Sequence, residues 1–290
     1  MSDWIRGQDS KKLEIEFTRL KNLGWEIPSF KSFGLITPSK IDESTISFPS
    51  KIWEESTINQ DVTEFWAAAR AHSIADILQI TNAKILWEIG AGNGSVAIPL
   101  KNSGFTVIPV EPLKSGALIL SEKGFMTFWS TLENLEFPNN SIEAIGAFDV
   151  LEHLQEPKLF LDEVYRVLTP GGYFICSVPA YNWLFSDFDI SLGHFRRYSG
   201  KSLKKIAINS GLTPIKLKYL FAFLIIPALI LRRIPYLLGI RRYSLKIVSI
   251  NKHQNKIITK LQVVLRFILL IEKKLNTKFG LSIILLTIKK

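Results

Sequence analysis

The stretch Ile85-Leu86-Trp87-Glu88-Ile89-Gly90-Ala91-Gly92-Asn93-Gly94-Ser95-Val96 decides the fold, because an apolar run changes there into a glycine-rich break. The run before the first glycine is typical of a buried parallel strand, and the residues after the last glycine predict a helix. Glycines at alternate positions allow a sharp backbone turn and admit a ligand where a Cβ atom would collide. The following helix offers unpaired N–H groups in its first turn. The stretch therefore predicts a ligand site after the first strand of an α/β sheet.

Two residues of this stretch limit the class of ligand. A dinucleotide fingerprint G-x-G-x-x-G requires glycine where Ser95 stands. The carboxyl group of Glu88 would repel a pyrophosphate, whereas it would attract a cationic or amino-bearing nucleoside. A nucleotide-dependent oxidoreductase is therefore the disfavoured alternative among enzymes, and a glycine-rich turn without a ligand is the structural alternative.

Strands alternate with helices along the middle of the chain. The pattern predicts strands at 84–89, 106–110, 125–129, 141–148, 173–178 and 213–220, and helices at 61–80, 95–102, 113–123, 157–168 and 201–210. A Pro-Gly stop signal at 169–172 separates the fourth of these helices from the next strand. Such alternation implies a parallel sheet with right-handed crossovers and a ligand crevice at the carboxyl ends of its strands. The apolar run 281–288 predicts a seventh strand that returns to this sheet.

The expected fold is thus α/β, a Rossmann-like sheet of seven mostly parallel strands with helices on both faces. Residues 61–221 and 280–290 would form the core, residues 222–279 a helical insertion, and residues 1–60 an N-terminal extension. Within the extension we expect an amphipathic helix at 10–23, followed by loop that Pro28, Pro38 and Pro49 punctuate.

Charge and cysteine content indicate the cellular compartment in which the 290-residue chain works. Its net charge of +10 is divided unevenly, with 16 basic residues and one acidic residue after position 210, against 20 basic and 25 acidic residues before it. A single cysteine, Cys176, excludes an internal disulfide and favours a reducing compartment. The first residues lack the apolar core of a signal peptide. We therefore expect a cytoplasmic protein.

The insertion 222–279 is both basic and apolar, and three interpretations remain open. Its apolar run 219–231 is shorter than the ~20 residues that span a bilayer. The preferred interpretation is docking on the inner surface of a membrane, with basic side chains on anionic headgroups. A packed cap or dimer interface is the second. Nucleic-acid binding is disfavoured because aliphatic residues dominate.

Glu111 ends the second predicted strand, 17 residues after Gly94. A carboxylate there can accept both hydroxyls of a ribose, because neighbouring strand ends share the crevice. The alternative is a solvated acid ahead of Pro112.

The pattern E-x-G-x-G-x-G, followed by Glu111, resembles that of class I S-adenosylmethionine-dependent methyltransferases. The motifs Phe148-Asp149-Val150-Leu151-Glu152-His153 and Gly193-His194-Phe195-Arg196-Arg197-Tyr198-Ser199 are similar to those of a type 11-like bacterial subgroup associated with cell-surface polysaccharide and lipid-linked glycan loci. The resemblance implies S-adenosylmethionine as cofactor, held by Glu88, Gly90, Ala91, Gly92, Gly94, Glu111, Pro112, Leu132 and Phe148. Thr131 departs from the aspartate that is frequent in the family. The motif at 148–153 also differs from that of enzymes that methylate nucleobase amino groups.

Methyl transfer to a hydroxyl needs alignment with the sulfonium and a group that takes the proton. His153 and His194 are the histidines expected near the crevice, and we predict that they are catalytic. A divalent metal is not expected, although Asp149, Glu152, His153 and His194 resemble the E-x-x-E-H plus distal histidine arrangement of small-RNA 2′-O-methyltransferases and ubiquinone-pathway O-methyltransferases. A structural role for Glu152 and His153 is the third alternative.

Arg196, Arg197 and Tyr198 form a basic-aromatic patch that is predicted to bind the acceptor, because paired arginines suit a phosphate or carboxylate. A salt bridge to the acidic part of the chain is the alternative. The predicted function is O-methylation of a small-molecule or membrane-associated acceptor, such as a lipid, lipid-linked sugar or quinone. The non-enzymatic alternative is a membrane-docked binding module without turnover.

Overall fold

The computed structural model describes residues 10–26, 30–31, 35–36, 60–240, 272 and 277–290. Within these ranges one sheet contains the strands β1 (Phe30–Lys31), β2 (Leu35–Ile36), β3 (Ile85–Ile89), β4 (Thr106–Val110), β5 (Thr127–Phe128), β6 (Ile142–Phe148), β7 (Leu168–Pro179), β8 (Leu212–Leu220) and β9 (Ser282–Lys289). Their order across the sheet is β1-β2-β5-β4-β3-β6-β7-β9-β8.

The helices are Ser10–Asn22, Gln60–Leu78, Ala97–Asn102, Lys114–Glu122, Pro157–Val167, Asp187–Ser191, Gly200–Asn209, Ile225–Ala228 and Ile234–Leu237. Short 3-10 turns lie at Glu133–Leu135, Leu151–His153, Asn182–Leu184 and Ala222–Leu224, and Leu229–Arg233 is a π-helical turn. Strands and helices alternate from β3 to β8, so the predicted α/β class is confirmed.

The core of the sheet places its crevice beside β3. Strands β3 to β7 pair in parallel, and the chain runs from β3 outward to β4 on one side and later to β6 on the other. In open α/β sheets a ligand binds where the strand order reverses in this way, outside the carboxyl ends of the strands. The glycine-rich stretch follows β3 and therefore lies at that point.

The last strand is inserted between two earlier ones. β9 pairs antiparallel with both β7 and β8, as the predicted return of the chain to the sheet requires. Gly280 permits this approach, because a Cβ atom there would overlap the backbone of Leu220. The run 281–288 is thus a seventh core strand, shifted by one residue.

Two features of the sheet differ from the prediction. The extension was predicted to be loop after its helix, but β1 and β2 lie there and add to the edge beside β5. Strands of two residues are too short to show an alternating pattern. The stop signal at 169–172 lies inside β7, where Gly171 adopts φ +80° and the pairing with β6 shifts register. The glycines absorb this irregularity instead of ending the strand.

The N-terminal helix packs into the sheet through aromatic residues. Phe17 and Trp25 contact Trp87 of β3, with ring centroids 6.4 and 6.1 Å apart. The indole Nε1 of Trp25 donates to the carbonyl of Leu135 at 2.8 Å. The described part of the extension is therefore built into the hydrophobic core. The proposed boundaries between extension, core and insertion remain predictions.

Several aliphatic side chains after β8 are exposed. We call them the aliphatic ridge: Ile226, Ile230, Leu231, Ile234, Leu237 and Leu238, each 41–69% exposed. Two arginines between them point back to the protein, since Arg232 stacks 3.9 Å from the ring of Phe188 and Arg233 donates to the carbonyl of Phe185 at 2.6 Å. Within the described ranges, no helix is both long and apolar enough to cross a bilayer. Most of the predicted helical insertion 222–279 lies outside the described residues, which within it are 222–240, 272 and 277–279.

Candidate active site

The glycine turn after β3 requires its glycines. Gly90, Gly92 and Gly94 adopt φ values of +71°, +60° and +85°, a region that other residues rarely occupy. A Cβ atom on Gly90 would lie 2.7 Å from Cγ2 of Val150, and one on Gly94 would lie 2.9 Å from a methyl group of Leu120. The turn is therefore closely packed and holds its backbone N–H groups in fixed directions.

Glu111 is held against this turn. Its Oε2 accepts from the N–H of Gly92 at 2.7 Å, and its Oε1 accepts from the N–H of Leu113 at 2.9 Å. Gly116 leaves room for the side chain, because a Cβ atom there would lie 2.9 Å from Cγ of Glu111. Burial raises the pKa of Glu111 to about 7, although the two backbone hydrogen bonds oppose the rise. The carboxyl group is thus oriented at the end of β4 before any ligand arrives.

Glu88 is the second acid in the same place. It is buried, and its Oε2 has no hydrogen-bond partner among the described residues. Burial, with a smaller contribution from the charge of Glu111, raises the pKa of Glu88 to about 8 against the opposing charge of Arg70. Two enclosed carboxyl groups with raised pKa values suit a ligand that brings positive charge and hydroxyl groups.

The other predicted cofactor residues lie in this turn, or at or shortly after the carboxyl ends of β4, β5 and β6. The N–H of Ala91 donates to Val110 at 3.3 Å, and Leu132 is buried just before the 3-10 turn Glu133–Leu135. The carbonyl of Pro112 accepts from the indole of Trp129 at 3.1 Å. Phe148 is buried at the end of β6, with its ring against Gly146. Trp129, directly after β5, thus lies beside the predicted cofactor residue Pro112, although the sequence analysis did not single it out.

Arg70 connects this pocket to a second acidic region. It forms an ion pair with Asp149, whose other oxygen accepts from Ser177 at 3.2 Å. Its positive charge also lowers the pKa values of Glu88 and Glu152. The helix Gln60–Leu78 therefore supplies a cation between the predicted cofactor site and the predicted catalytic residues.

Glu152, His153 and His194 converge beyond that cation. One ligand atom from each residue lies within 4.8 Å of the others. The two imidazole rings meet edge to face with centroids 4.7 Å apart. Glu152 is fully buried, and neither carboxyl oxygen has a hydrogen-bond partner among the described residues. The structure thus brings together both histidines that the sequence singled out.

Glu152 and His153 differ in their affinity for protons. Burial, with a further contribution from Asp149, raises the pKa of Glu152 well above its ordinary value. Burial, with a smaller contribution from the neighbouring His194, lowers the pKa of His153 to about 4. Glu152 therefore favours its protonated form and His153 its neutral form.

The cluster suits two kinds of chemistry. A neutral imidazole can accept a proton from an acceptor hydroxyl. The two imidazoles, together with the buried Glu152 carboxyl group that lacks a hydrogen-bond partner among the described residues, are also a suitable donor set for a divalent cation. Asp149, the fourth residue of the metal alternative, is instead paired with Arg70.

The predicted acceptor patch is divided between different roles. Arg197 is buried and donates to Asp189 at 2.6 Å and to the carbonyl of Ala180 at 3.3 Å. Tyr198 is buried and its hydroxyl donates to the carbonyl of Leu151 at 3.0 Å. Arg196 is half-buried and donates to Gln155. Arg197 and Tyr198 thus stabilise the segment that carries His194.

Comparison with known families gives one match over most of the core. A family model described as "Methyltransferase domain" matches residues 60–217, more than half of the chain. This range contains the glycine turn, both buried acids and both histidines of the cluster.

Curated relatives match over a shorter range. A ubiquinone biosynthesis O-methyltransferase of Bradyrhizobium sp. (strain ORS 278) is 31% identical over 104 residues, which cover 34% of this chain and 41% of the relative. The protein of the same name from Nitrobacter winogradskyi is 32% identical over 104 residues, or 34% of this chain and 40% of the relative. The chain therefore aligns with about two fifths of the length of these relatives.

The fold is also found among solved structures. A Thermotoga maritima protein, described as an S-adenosylmethionine-dependent methyltransferase and possible histamine N-methyltransferase, superposes with a TM-score of 0.52 at 17% identity. The match covers 82% of this chain and 100% of the solved one. At this identity the likeness concerns the fold.

Proposed function

Since the chain belongs to the methyltransferase domain family, we propose that it is an S-adenosylmethionine-dependent methyltransferase that acts on an oxygen atom. The observation that carries this proposal is the pair of buried acids Glu88 and Glu111 at the glycine turn. Between them they provide negative charge for a cationic cofactor and a fixed carboxylate for its ribose.

In this proposal each cofactor residue has a physical task. Glu111, already aligned by Gly92 and Leu113, accepts the two ribose hydroxyls. Glu88 offers charge to the amino-acid end of the cofactor. Gly90, Ala91, Gly92 and Gly94 let that end approach the backbone, and Pro112, Leu132 and Phe148 enclose the adenosine. The cofactor supplies the methyl group on a sulfonium, and the pocket aligns it with the acceptor.

The proton of the acceptor hydroxyl is taken by the histidine pair. His153 and His194 lie next to one another, with ring centroids 4.7 Å apart, and Asp149, four residues before His153, pairs with Arg70. An imidazole in hydrogen-bond reach of the hydroxyl removes its proton while the carbon–oxygen bond forms. Arg196 contributes positive charge for an anionic group on the acceptor.

The acceptor is proposed to be a membrane-associated lipid, lipid-linked sugar or quinone. Two observations support this class. The aliphatic ridge lies in a strongly basic part of the chain, and its arginines Arg232 and Arg233 contact the segment that leads to His194. The names of the two O-methyltransferase relatives also favour a quinone-type acceptor. The protein would then work at the inner surface of a membrane.

Calorimetry and methyl transfer test the proposal in two stages. Titration with S-adenosylhomocysteine should release or absorb heat, whereas NAD should give no binding signal. Radiolabelled S-adenosylmethionine should then transfer its methyl group into a membrane lipid extract. His194→Gln should lower that transfer without loss of S-adenosylhomocysteine binding, and Glu111→Gln should lower both. Binding of NAD in place of S-adenosylhomocysteine would contradict the family chemistry.

A divalent cation at the cluster is a second candidate, favoured by the buried Glu152 carboxyl group, which lacks a partner among the described residues. Glu152, His153 and His194 would then orient two acceptor oxygens on the metal. Elemental analysis of the purified protein distinguishes the two candidates. A stoichiometric metal that is lost in Glu152→Gln but retained in Asp162→Asn, an exposed acid, would support the cation. Full methyl transfer after treatment with a chelator would exclude it.

A further inference from the structure

Asp189 is a buried carboxylate with four donors around it. Its Oδ2 accepts from the N–H of Ser186 at 3.0 Å and from the hydroxyl of Ser186 at 3.3 Å. Its Oδ1 accepts from Nε of Arg197 at 2.6 Å and faces Nδ1 of His194 at 3.0 Å. The side chain of Asp189 is wholly buried and that of Arg197 is 5% exposed. Both oxygens of this carboxyl group are thus held by donors, and the group contacts the histidine cluster through His194.

The ion pair with Arg197 keeps Asp189 ionised. The guanidinium of Arg197 donates to Oδ1 at 2.6 Å, and the N–H and hydroxyl of Ser186 both lie at Oδ2, so these contacts stabilise the anionic form of the carboxyl group. An ionised carboxylate can only accept hydrogen bonds. Nδ1 of His194 must therefore carry the hydrogen atom in this contact.

A hydrogen atom on Nδ1 decides what the other nitrogen can do. In a neutral imidazole one nitrogen is the donor and the other the acceptor. With Nδ1 committed to Asp189, the lone pair of His194 is on Nε2. His153 differs in its contacts, because its ring packs edge to face on that of His194, whereas His194 is the histidine that bonds Asp189.

We propose that Asp189 is a positioning residue, which fixes His194 in the Nδ1–H tautomer so that Nε2 of His194 takes the proton of the acceptor hydroxyl. The inference rests on the proposed function, because it assigns the base within that same site. His153 then packs edge to face on the base and limits its rotation. The two histidines that the sequence treats alike thus have different tasks.

A bracing role for Asp189 is the competing explanation. The same carboxylate links the turn at Ser186 to Arg197, and Arg197 in turn contacts Ala180. Removing it would then loosen the segment without a specific effect on the tautomer of His194. The test must therefore report on the imidazole itself.

Nitrogen-15 NMR of the full-length protein labelled at histidine provides that report. The chain has four histidines, and the signals of His194 and His153 are assigned by His194→Gln and His153→Gln. In the wild type at mildly alkaline pH we expect His194 as the Nδ1–H tautomer. In Asp189→Asn we expect a shift towards the Nε2–H tautomer. Asp187→Asn, the matched loss of a carboxylate two residues earlier, should leave the spectrum of His194 unchanged.

Activity gives a second reading through a double-mutant comparison. Asp189→Asn should lower radiolabelled methyl transfer into a lipid extract by roughly 10-fold or more. In the His194→Gln background, Asp189→Asn should have little further effect on methyl transfer. If Asp189 only braced the segment, Asp189→Asn would lower methyl transfer by a similar factor in both backgrounds.

The outcomes separate this inference from the proposed function. Wild-type His194 in the Nε2–H tautomer would overturn the inference, and this measurement stands even where Asp189→Asn fails to fold. An unchanged His194 spectrum in a folded Asp189→Asn protein would overturn it as well. S-adenosylhomocysteine binding is measured on the same samples, so that its absence from the wild type would instead refute the proposed function.

Discussion

Glu111 is the residue on which cofactor recognition should depend most strongly. Replacing it with Gln removes the negative charge and one of the two acceptors that Gly92 and Leu113 now satisfy. Hydrogen bonds to a charged group contribute about 1.5–3 kcal/mol. Glu111→Gln should therefore weaken S-adenosylhomocysteine binding by roughly 10-fold to 100-fold in calorimetry.

Glu122→Gln is the matched control, because Glu122 is exposed at the end of the helix Lys114–Glu122. It should leave the affinity unchanged. Equal affinity of Glu111→Gln and the wild type would mean that the ribose is bound elsewhere.

Glu88 should make the stability of the ligand-free protein depend on pH. The native protein retains a proton on Glu88 up to about pH 8, whereas the unfolded chain releases it near its ordinary pKa of 4.5. Between these values the native state binds more protons, so the free energy of unfolding falls as the pH rises. Glu111, with its pKa raised to about 7, acts in the same direction.

Glu88→Gln should accordingly flatten this decline, by about 1–4 kcal/mol between about pH 5 and about pH 8. The free energy of unfolding is measured by urea denaturation of the wild type, Glu88→Gln and Glu122→Gln at both pH values. A decline in Glu88→Gln as steep as in the wild type would show that Glu88 is ionised in the native protein.

The sequence predicted the acids of the site better than their partners. The spacing around Gly90 and the strand end at Glu111 placed both carboxyl groups, because a strand and its following turn are local. Asp189 was not singled out, since its contacts with His194 and Arg197 depend on how one loop folds back on itself. Arg197 was expected to bind the acceptor, and its burial against Asp189 likewise depends on tertiary packing.

At the scale of elements, the turn after β3 and the 3-10 turn after β6 must fit together. Val150 lies where a side chain on Gly90 would point, 2.7 Å from the Cβ position. Gly90→Ala should therefore displace one of the two turns and weaken S-adenosylhomocysteine binding. Adding Val150→Ala to the Gly90→Ala variant should restore part of the affinity for S-adenosylhomocysteine. The second substitution removes the collision with the new Cβ atom, but residue 90 keeps its unfavourable φ of about +71°.

Gly104→Ala is a matched control for the free-energy cost of placing a residue other than glycine at a positive φ. Gly104 has φ +91°, and a Cβ atom there would meet nothing within 4 Å. It should lower the free energy of unfolding by about 1 kcal/mol and leave cofactor affinity unchanged. Lack of any rescue by Val150→Ala would show that the positive φ, and not the collision, requires glycine at position 90.

The length and regularity of each strand and helix explain which of them could be predicted from the sequence. The central strands are continuous apolar runs between helices of clear period, and β4 was predicted with its observed bounds, Thr106–Val110. β1 and β2 have two residues each and pair only because β5 offers an edge. The beginning of β7 was missed because Pro170, Gly171 and Gly172 usually mark an interruption, whereas here they form a register shift within β7, which pairs with β6 both before and after them.

At the scale of the whole molecule, charge and apolar surface occur in the same part of the chain. The residues after position 210 carry 16 of the 36 basic groups and one acidic group. The aliphatic ridge lies at the start of this part, next to the segment that holds His194. Anionic lipid headgroups would neutralise the basic charge while the ridge enters the interface, which would bring a membrane-bound acceptor close to the crevice.

Vesicle sedimentation tests this arrangement. The full-length protein should pellet with vesicles that contain phosphatidylglycerol, and high salt should release it because the attraction is partly electrostatic. Leu237→Glu combined with Leu238→Glu should weaken pelleting by roughly 10-fold or more, since two exposed apolar side chains of the ridge are replaced by anions. S-adenosylhomocysteine binding should persist in the variant, which shows that the core remains folded.

Leu159→Glu combined with Ile208→Glu provides the matched control. Both side chains are exposed, 68% and 57%, and lie on the helices Pro157–Val167 and Gly200–Asn209, outside the ridge. The change in charge is the same as in the ridge variant, so a loss of pelleting confined to the ridge variant locates the docking surface. An equal loss of pelleting in both variants would show that the change in net charge alone weakens binding. Equal pelleting with neutral vesicles in high salt would show that electrostatic attraction does not contribute.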